Sequence, residues 1–151
     1  MNIEIRPAVA SDIEFAFQVK KLAFKKYVEM VWGWDEAEQE EIHTRIFLEQ
    51  EFHIVSDAGI DVGVIAFVRS PECIRFYQLF LLPEFQRRGI GRKVMERIME
   101  EAKKQLLPIR IQTLKVNQPA QDFAEKLGFN KIGKTAEHIQ WEWSSCKADI
   151  I

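Results

Sequence analysis

A glycine turn between an apolar strand and an amphipathic helix constrains this chain more than any other feature. The stretch reads YQLFLLPEFQRRGIGRKVMERIMEEA, from Tyr77 to Ala102. Tyr77 to Leu82 has strand character, and Pro83 stops it. Gly89 and Gly91 let the backbone turn with no Cβ in the way, and the pattern predicts a helix from Gly91. The first turn of a helix holds N–H groups without intrahelical acceptors. Together with the helix dipole, they form an anion site. Arg87, Arg88, Arg92 and Lys93 set four cations around it. A diphosphate suits that arrangement; a plain strand-to-helix connection is the alternative. The lysine-bearing P-loop pattern is absent, and Val94 stands where a dinucleotide fingerprint needs a third Gly or Ala. A nucleoside triphosphate or a dinucleotide is therefore disfavoured.

Composition bounds the rest. At 151 residues, 47% hydrophobic and 29% charged, the chain is globular and of ordinary single-domain size. A domain over residues 1–143, with a tail over 144–151, is expected. Lys and Arg number 21 against 23 Asp and Glu, a net charge of −2. That balance gives no reason to expect nucleic acid or anionic lipid as a bulk partner. Cys73 and Cys146 lie far apart without metal-ligand spacing, so structural thiols and no metal are expected. The N-terminal MNIEIRPA has no apolar signal core, and no run approaches a membrane span. A cytoplasmic location and no membrane association are the expectation.

Taken in order, Ile3 and Ile5 alternate with polar neighbours as a short strand that Pro7 ends. Ser11-Asp12-Ile13-Glu14 has capping-box spacing and predicts a helix from Ser11. Ile13, Phe17, Phe24, Val28 and Val31 form its apolar stripe, interrupted by Lys20. Gly33 breaks that helix, and Asp35 with Glu38 caps a second. The acidic run from Asp35 to Glu41 is a solvated face or an attractor for a cationic ligand. Phe52–Ser56 and Ile60–Arg69 read as a hairpin around Ala58-Gly59, with Gly63 marking a bulge or close packing. Cys73–Leu82 is the strand that feeds the glycine turn. Val94, Met95, Ile98, Met99, Ala102 and Leu106 make the next helix's core stripe. Ile109, Ile111, Thr113 and Val116 mark another strand. Asn117 and Pro119 open a short helix that Gly128 ends. Phe129–Ile132 and Glu137–Trp143 close the chain as a hairpin. Strands interleaved with helices indicate a mixed α/β domain.

Leu82-Pro83-Glu84-Phe85-Gln86-Arg87-Arg88-Gly89-Ile90-Gly91 resembles the acetyl-CoA loop of the GNAT (Gcn5-related) N-acetyltransferases, Gln/Arg-x-x-Gly-x-Gly/Ala. A second block agrees: Asn117, Ala120, Phe123 and Glu125-Lys126-Leu127-Gly128-Phe129 are similar to the family's Asn-x-x-Ala segment that ends in Glu-Lys-x-Gly-Phe. The likeness covers at least residues 73–135. Trp32-Gly33-Trp34-Asp35 also looks like a feature of one GNAT branch. The resemblance implies a central, mostly antiparallel sheet of about six or seven strands flanked by helices. It also implies acetyl-CoA as co-substrate and an amine of a small molecule or peptide as acceptor. A homodimer is one assembly such a domain can form.

The resemblance further implies roles. The main chain of Leu79, Phe80 and Leu81 runs beside the pantetheine arm and supplies a donor to the thioester oxygen. Gln86, Arg87, Arg88, Gly89, Ile90, Gly91, Arg92 and Lys93 take the diphosphate. Asn117 bonds the pantetheine arm or caps its helix, or does both. Phe123 packs near the cofactor or in the core. Trp32 and Trp34 form a wall of the acceptor site, against the alternative of plain packing. Two positions depart from the family. Ala124 stands where many relatives have a proton-donating Tyr, and Gln112 where some have a Glu base. The acid–base candidates are then His138, Tyr77 and Tyr27, with His43 and His53 weaker. Histidine leads because its ordinary pKa lies near neutrality. A neutral amine attacking unassisted is the alternative, and an acyl-CoA-binding inactive relative is the alternative function.

Overall fold

The computed structural model describes residues 1–145, so Cys146 and the end of the expected tail lie outside the described residues. Among the described residues seven strands, β1 (Ile3–Pro7), β2 (Glu51–Asp57), β3 (Ile60–Arg69), β4 (Ile74–Leu81), β5 (Ile109–Leu114), β6 (Asn130–Lys134) and β7 (His138–Trp143), form a mostly antiparallel sheet in the order β1-β2-β3-β4-β5-β7-β6, flanked by helices, the expected class. The described residues divide into two compact units, Met1–Phe67 with Gln78–Val94, and Val68–Tyr77 with the described residues from Met95 onward.

The first unit opens with β1 (Ile3–Pro7), then α1 (Ile13–Val31), α2 (Glu36–Glu49), β2 (Glu51–Asp57) and β3 (Ile60–Arg69). The β2–β3 hairpin turns at Ala58 and Gly59, with φ of 50° and 82°, the left-handed pair that a tight hairpin needs. Val55 pairs with Gly63 and Ser56 with Asp61, so Val62 is an extra residue in a bulge. Gly63 answers to both of its predicted meanings. A Cβ there would lie 2.6 Å from the Phe80 carbonyl oxygen and 2.5 Å from a Leu81 methyl. Ala16 and Val19 of α1 pack with Phe52, Ile54, Val64 and Ala66 in the core of this unit, with Phe15, Ile46, Phe47, Phe80 and Leu82 at its margin.

The Ser11 cap is not formed. A 3-10 turn over Ala10–Asp12 precedes α1. The Asp12 carboxylate accepts from the Val9 N–H at 2.8 Å and from the Arg6 guanidinium at 2.8 Å. Arg6 reaches it from β1 and holds its pKa below the usual carboxylate range. The Asp35 cap does form, its carboxylate accepting from the Glu38 N–H at 3.0 Å.

The strand β4 (Ile74–Leu81) and the helix α3 (Ile90–Gln105) each pass from one unit to the other. In the second unit β4 pairs in parallel with β5 (Ile109–Leu114) over Ile74–Phe76. After β5 come α4 (Gln118–Lys126), β6 (Asn130–Lys134) and β7 (His138–Trp143), with β7 antiparallel to both β5 and β6. Trp141 is fully buried, and its indole N–H donates to Thr113 Oγ1 at 3.0 Å. The α3 stripe holds for Val94, Met95, Ile98 and Ala102. Leu106 leaves it: at φ 58° it ends the helix in the left-handed region and is 72% exposed. Val116 falls past the end of β5 and is exposed.

Candidate functional site

The loop after β4 differs from its expected form in three details. A 3-10 turn over Pro83–Phe85 follows Leu82. The left-handed residues are then Arg87, at φ 61°, and Gly89, at φ 86°. The helix begins at Ile90, so Gly91 sits inside it. Gly89 provides the turn that the sequence requires of a glycine; Arg87 adopts the same region at a steric cost for a Cβ-bearing residue.

Gly89 precedes α3 and has no side chain with which to accept from the helix end. The first intrahelical bond of this end runs from the Lys93 N–H to the Gly89 carbonyl, at 3.1 Å. The amides of residues 90–92 precede it, which is the arrangement that receives an anion. Arg87, Arg88 and Lys93 are exposed around this end, and the Arg88 guanidinium lies 5.3 Å from the centre of the Phe85 ring.

The backbone of β4 sorts the three strand residues. The Leu82 N–H donates to the Val62 carbonyl at 2.9 Å. Successive residues of a strand turn their amides to opposite edges, so Phe80 also addresses β3, while Leu79 and Leu81 face the other edge. The Leu81 carbonyl accepts from the Gln86 side chain at 2.9 Å, which ties the loop to the strand. The Phe80 ring is held by Phe24 of α1, with centroids 4.9 Å apart. Phe80 is therefore a packing residue in its side chain, and its main chain is turned away from the edge where Leu79 and Leu81 present theirs.

The two tryptophans separate. Trp32 follows α1 and is 57% exposed, with its N–H donating to the Val28 carbonyl at 2.8 Å. Gly33, at φ 81°, ends the helix. Trp34 is half-buried. Its indole N–H donates to Glu36 at 2.8 Å, its ring lies 6.3 Å from that of Phe17, and the Lys25 ammonium lies 5.8 Å from its centre. Both line an open cavity of about 520 Å³ with Asp35, Glu38, Gln39 and Ile42. Tyr27, also of the first unit, is half-buried, its ring 6.1 Å from Phe24 and 5.0 Å from the Lys26 ammonium.

The remaining predicted residues belong to the second unit. Tyr77 is 49% exposed. Asn117 caps α4, its side chain accepting from the Ala120 N–H at 3.2 Å. Phe123 is half-buried on the same helix. His138 opens β7 opposite Leu114, and its N–H donates to Thr135 Oγ1 at 3.0 Å. Ala124 is fully buried, so the position where relatives carry a tyrosine is a core position here.

Three polar groups of the first unit are buried: Gln78, which sequence reasoning missed, Lys20, which it noted only as a break in the α1 stripe, and His43, one of its weaker acid–base candidates. Gln78 on β4 is 6% exposed, and its Oε1 has no hydrogen-bond partner. Lys20 is buried in α1, and the loss of water pushes its ammonium below the ordinary lysine range. His43 is buried among Phe17, Phe47 and Phe52. Its Nε2 lies 2.9 Å from the Ile13 carbonyl, and its Nδ1 has no partner. Burial lowers its pKa, against the opposing pull of that carbonyl. The one available signal was Lys20 itself, a charge within an apolar helical stripe. Among the described residues no group of His, Cys, Asp and Glu could hold a metal, and no helix is long and apolar enough to cross a membrane.

Comparison with known proteins agrees with this geometry. The model of the acetyltransferase (GNAT) family matches residues 17–129. No curated protein matches the chain. Among solved structures, the fold is shared with the PaiA N-acetyltransferase of Thermoplasma acidophilum in complex with coenzyme A, at 19% identity and a TM-score of 0.75, over 95% of this chain and 99% of that one. It is also shared with the ribosomal-protein-S18-alanine N-acetyltransferase of Escherichia coli, at 17% identity and a TM-score of 0.71, over 94% and 93%. A GNAT family acetyltransferase of Elizabethkingia anophelis with acetyl-CoA bound is similar at 15% identity and a TM-score of 0.71, over 95% and 98%. With three quarters of its length matched by the family model, this chain belongs to the GNAT acetyltransferases.

Proposed function

We propose that the chain is a single N-acetyltransferase domain over residues 1–143, which moves the acetyl group of acetyl-CoA to a primary amine of a small molecule or peptide. The observation that carries this reading is the α3 end after Gly89, with amides ahead of the first intrahelical bond and arginines beside them. A diphosphate meets there both the helix dipole and exposed cations. In this reading Gln86 to Lys93 hold the diphosphate, and Leu79 and Leu81 offer main-chain groups to the pantetheine arm. Asn117 and Phe123 are assigned to the same ligand by family position. Bound acetyl-CoA supplies the activated acyl group and a thiolate leaving group.

The chain's residues do the rest. A backbone N–H of Leu79 stabilises the oxygen that gains charge during attack. Trp32 forms the wall of the acceptor site, next to the carboxylates of Asp35 and Glu38, which favour a cationic amine. The proton leaves to His138 or to water, and one of His138, Tyr77 and Tyr27 orders the amine or that water. A second reading, an acyl-CoA-binding relative without turnover, is favoured by the burial of Ala124 and by Gln112.

Release of free thiol from acetyl-CoA across a panel of amines and peptide N-termini separates the two. Amine-dependent release supports the enzyme. Saturable CoA binding with no release from any acceptor supports the second reading, and absence of CoA binding removes both.

A further inference from the structure

The sheet of the second unit has a polar face with its own recess. The register sets Arg75 beside Arg110, Arg110 beside Glu142, and Gln112 beside Gln140. A cavity of about 160 Å³ opens along these rows, walled by Arg75, Arg110, Gln112, Gln140, Ile132 and Trp141.

Charge is the first reason to look here. Arg75 and Arg110 are direct neighbours on adjacent strands, about 5 Å apart at the backbone. Like charges so placed repel and destabilise a sheet. Glu142 answers Arg110 directly, its Oε2 accepting from Arg110 Nε at 2.9 Å, and Glu72 adds a weaker attraction from further off. That bond engages the Nε of Arg110. Arg75 has no ion-pair partner among the described residues. Arg75 is left as a half-buried guanidinium with no ion pair beside a recess, with the Arg110 and Glu142 side chains 39% and 30% exposed.

The recess is also built. Gly133 leaves room for the Gln140 carboxamide, whose Oε1 lies 2.6 Å from where a Cβ would stand. Ile132 is the extra residue of the β6 bulge and is thereby set beside the cavity. The wall therefore combines fork-shaped cations, carboxamides and hydrocarbon. Guanidinium forks match planar or tetrahedral oxyanions. The hydrocarbon favours an anion that carries carbon, which inorganic phosphate lacks.

We propose that this cavity is a binding site for a small carboxylate, held between Arg75 and Arg110 with a hydrogen bond from the Gln112 carboxamide. None of its residues is assigned to CoA, so its test is separate from CoA binding, while Gln112 stands where some relatives carry a Glu base.

Calorimetric titration of the full chain with succinate, at low ionic strength, tests it. One saturable site per chain is expected, with phosphate binding more weakly. Arg75→Gln should weaken succinate by about 10-fold or more, as loss of one charge-assisted contact predicts, while CoA binding stays at the parent value. Arg75→Lys should recover part of the loss. No saturable succinate binding, equal binding of phosphate, or an Arg75→Gln variant that binds like the parent would each overturn the assignment. If Arg75→Gln folds poorly, the parent decides alone: the side-chain amide resonances of Gln112 and Gln140 must shift during the titration, and stationary amides overturn it.

Discussion

Gly91 lies one residue inside α3, where a phosphate would meet the helix end. Gly91→Val puts a β-branched side chain there, and CoA affinity should fall about 10-fold or more, equivalent to roughly 1.4 kcal/mol. Calorimetry on the folded variant checks this, and an unchanged dissociation constant would move the ligand away from the loop. The two tryptophans should answer oppositely. Trp32 is largely exposed, so Trp32→Ala should raise the acceptor KM with little effect on melting temperature. Trp34 is tied to Glu36, Phe17 and Lys25, so Trp34→Ala should lower the melting temperature, at a cost below the roughly 3–5 kcal/mol of a fully buried aromatic, since the ring is half-buried. Steady-state kinetics beside thermal melts separates the cases. His138→Ala should lower turnover by roughly 10- to 10³-fold, the range for one acid–base group, with the CoA dissociation constant unchanged. Parent-like turnover makes this histidine structural and favours unassisted attack by the neutral amine.

At the scale of elements, local chemistry was readable and tertiary choice was not. The Asp35 cap, the Ala58-Gly59 turn and the Asn117 cap follow from residues within a few positions of one another, and all three formed. Ser11 failed because Asp12 had a stronger offer, a guanidinium from β1 that sequence spacing does not reveal. Leu106 fits the α3 wheel, yet the chain must leave the helix before Pro108, and the left-handed turn that does so exposes it. The turn into α3 was readable from Gly89, which takes the left-handed region there. The burial of the orphaned Gln78 was not readable, and that of Lys20 showed only as a break in its stripe, because burial is decided by distant partners. The packing of α2 gives a pH prediction. Burial holds the His43 pKa below its ordinary 6.5, so the unfolded chain binds the proton more readily. Stability from the neutral ring is complete above pH 6.5 and is lost as pH falls from there through the lowered folded value. Melting temperature should therefore drop on acidification in that window, and His43→Phe should flatten the drop. An equal slope in parent and variant would assign the acid sensitivity to other groups.

For the whole molecule, a ligand that binds only the folded state stabilises it by mass action. CoA at about 100 times its dissociation constant adds about 2.7 kcal/mol. In a domain of this size that is roughly 5–10 °C of melting temperature. Differential scanning calorimetry with and without CoA measures it, and no shift at saturation would contradict binding to the native state. The helix end after Gly89 carries this further. A helix entered through a glycine opens readily at that end, and here the neighbouring Arg87 and Arg88 are exposed, with peptide bonds after them of the kind trypsin cuts. Unliganded chains should be nicked there, and CoA should protect them. On the proposed function, the survival of the polypeptide under proteolysis should then track the supply of acetyl-CoA, so that a shortage would shorten the life of the chain as well as slow it.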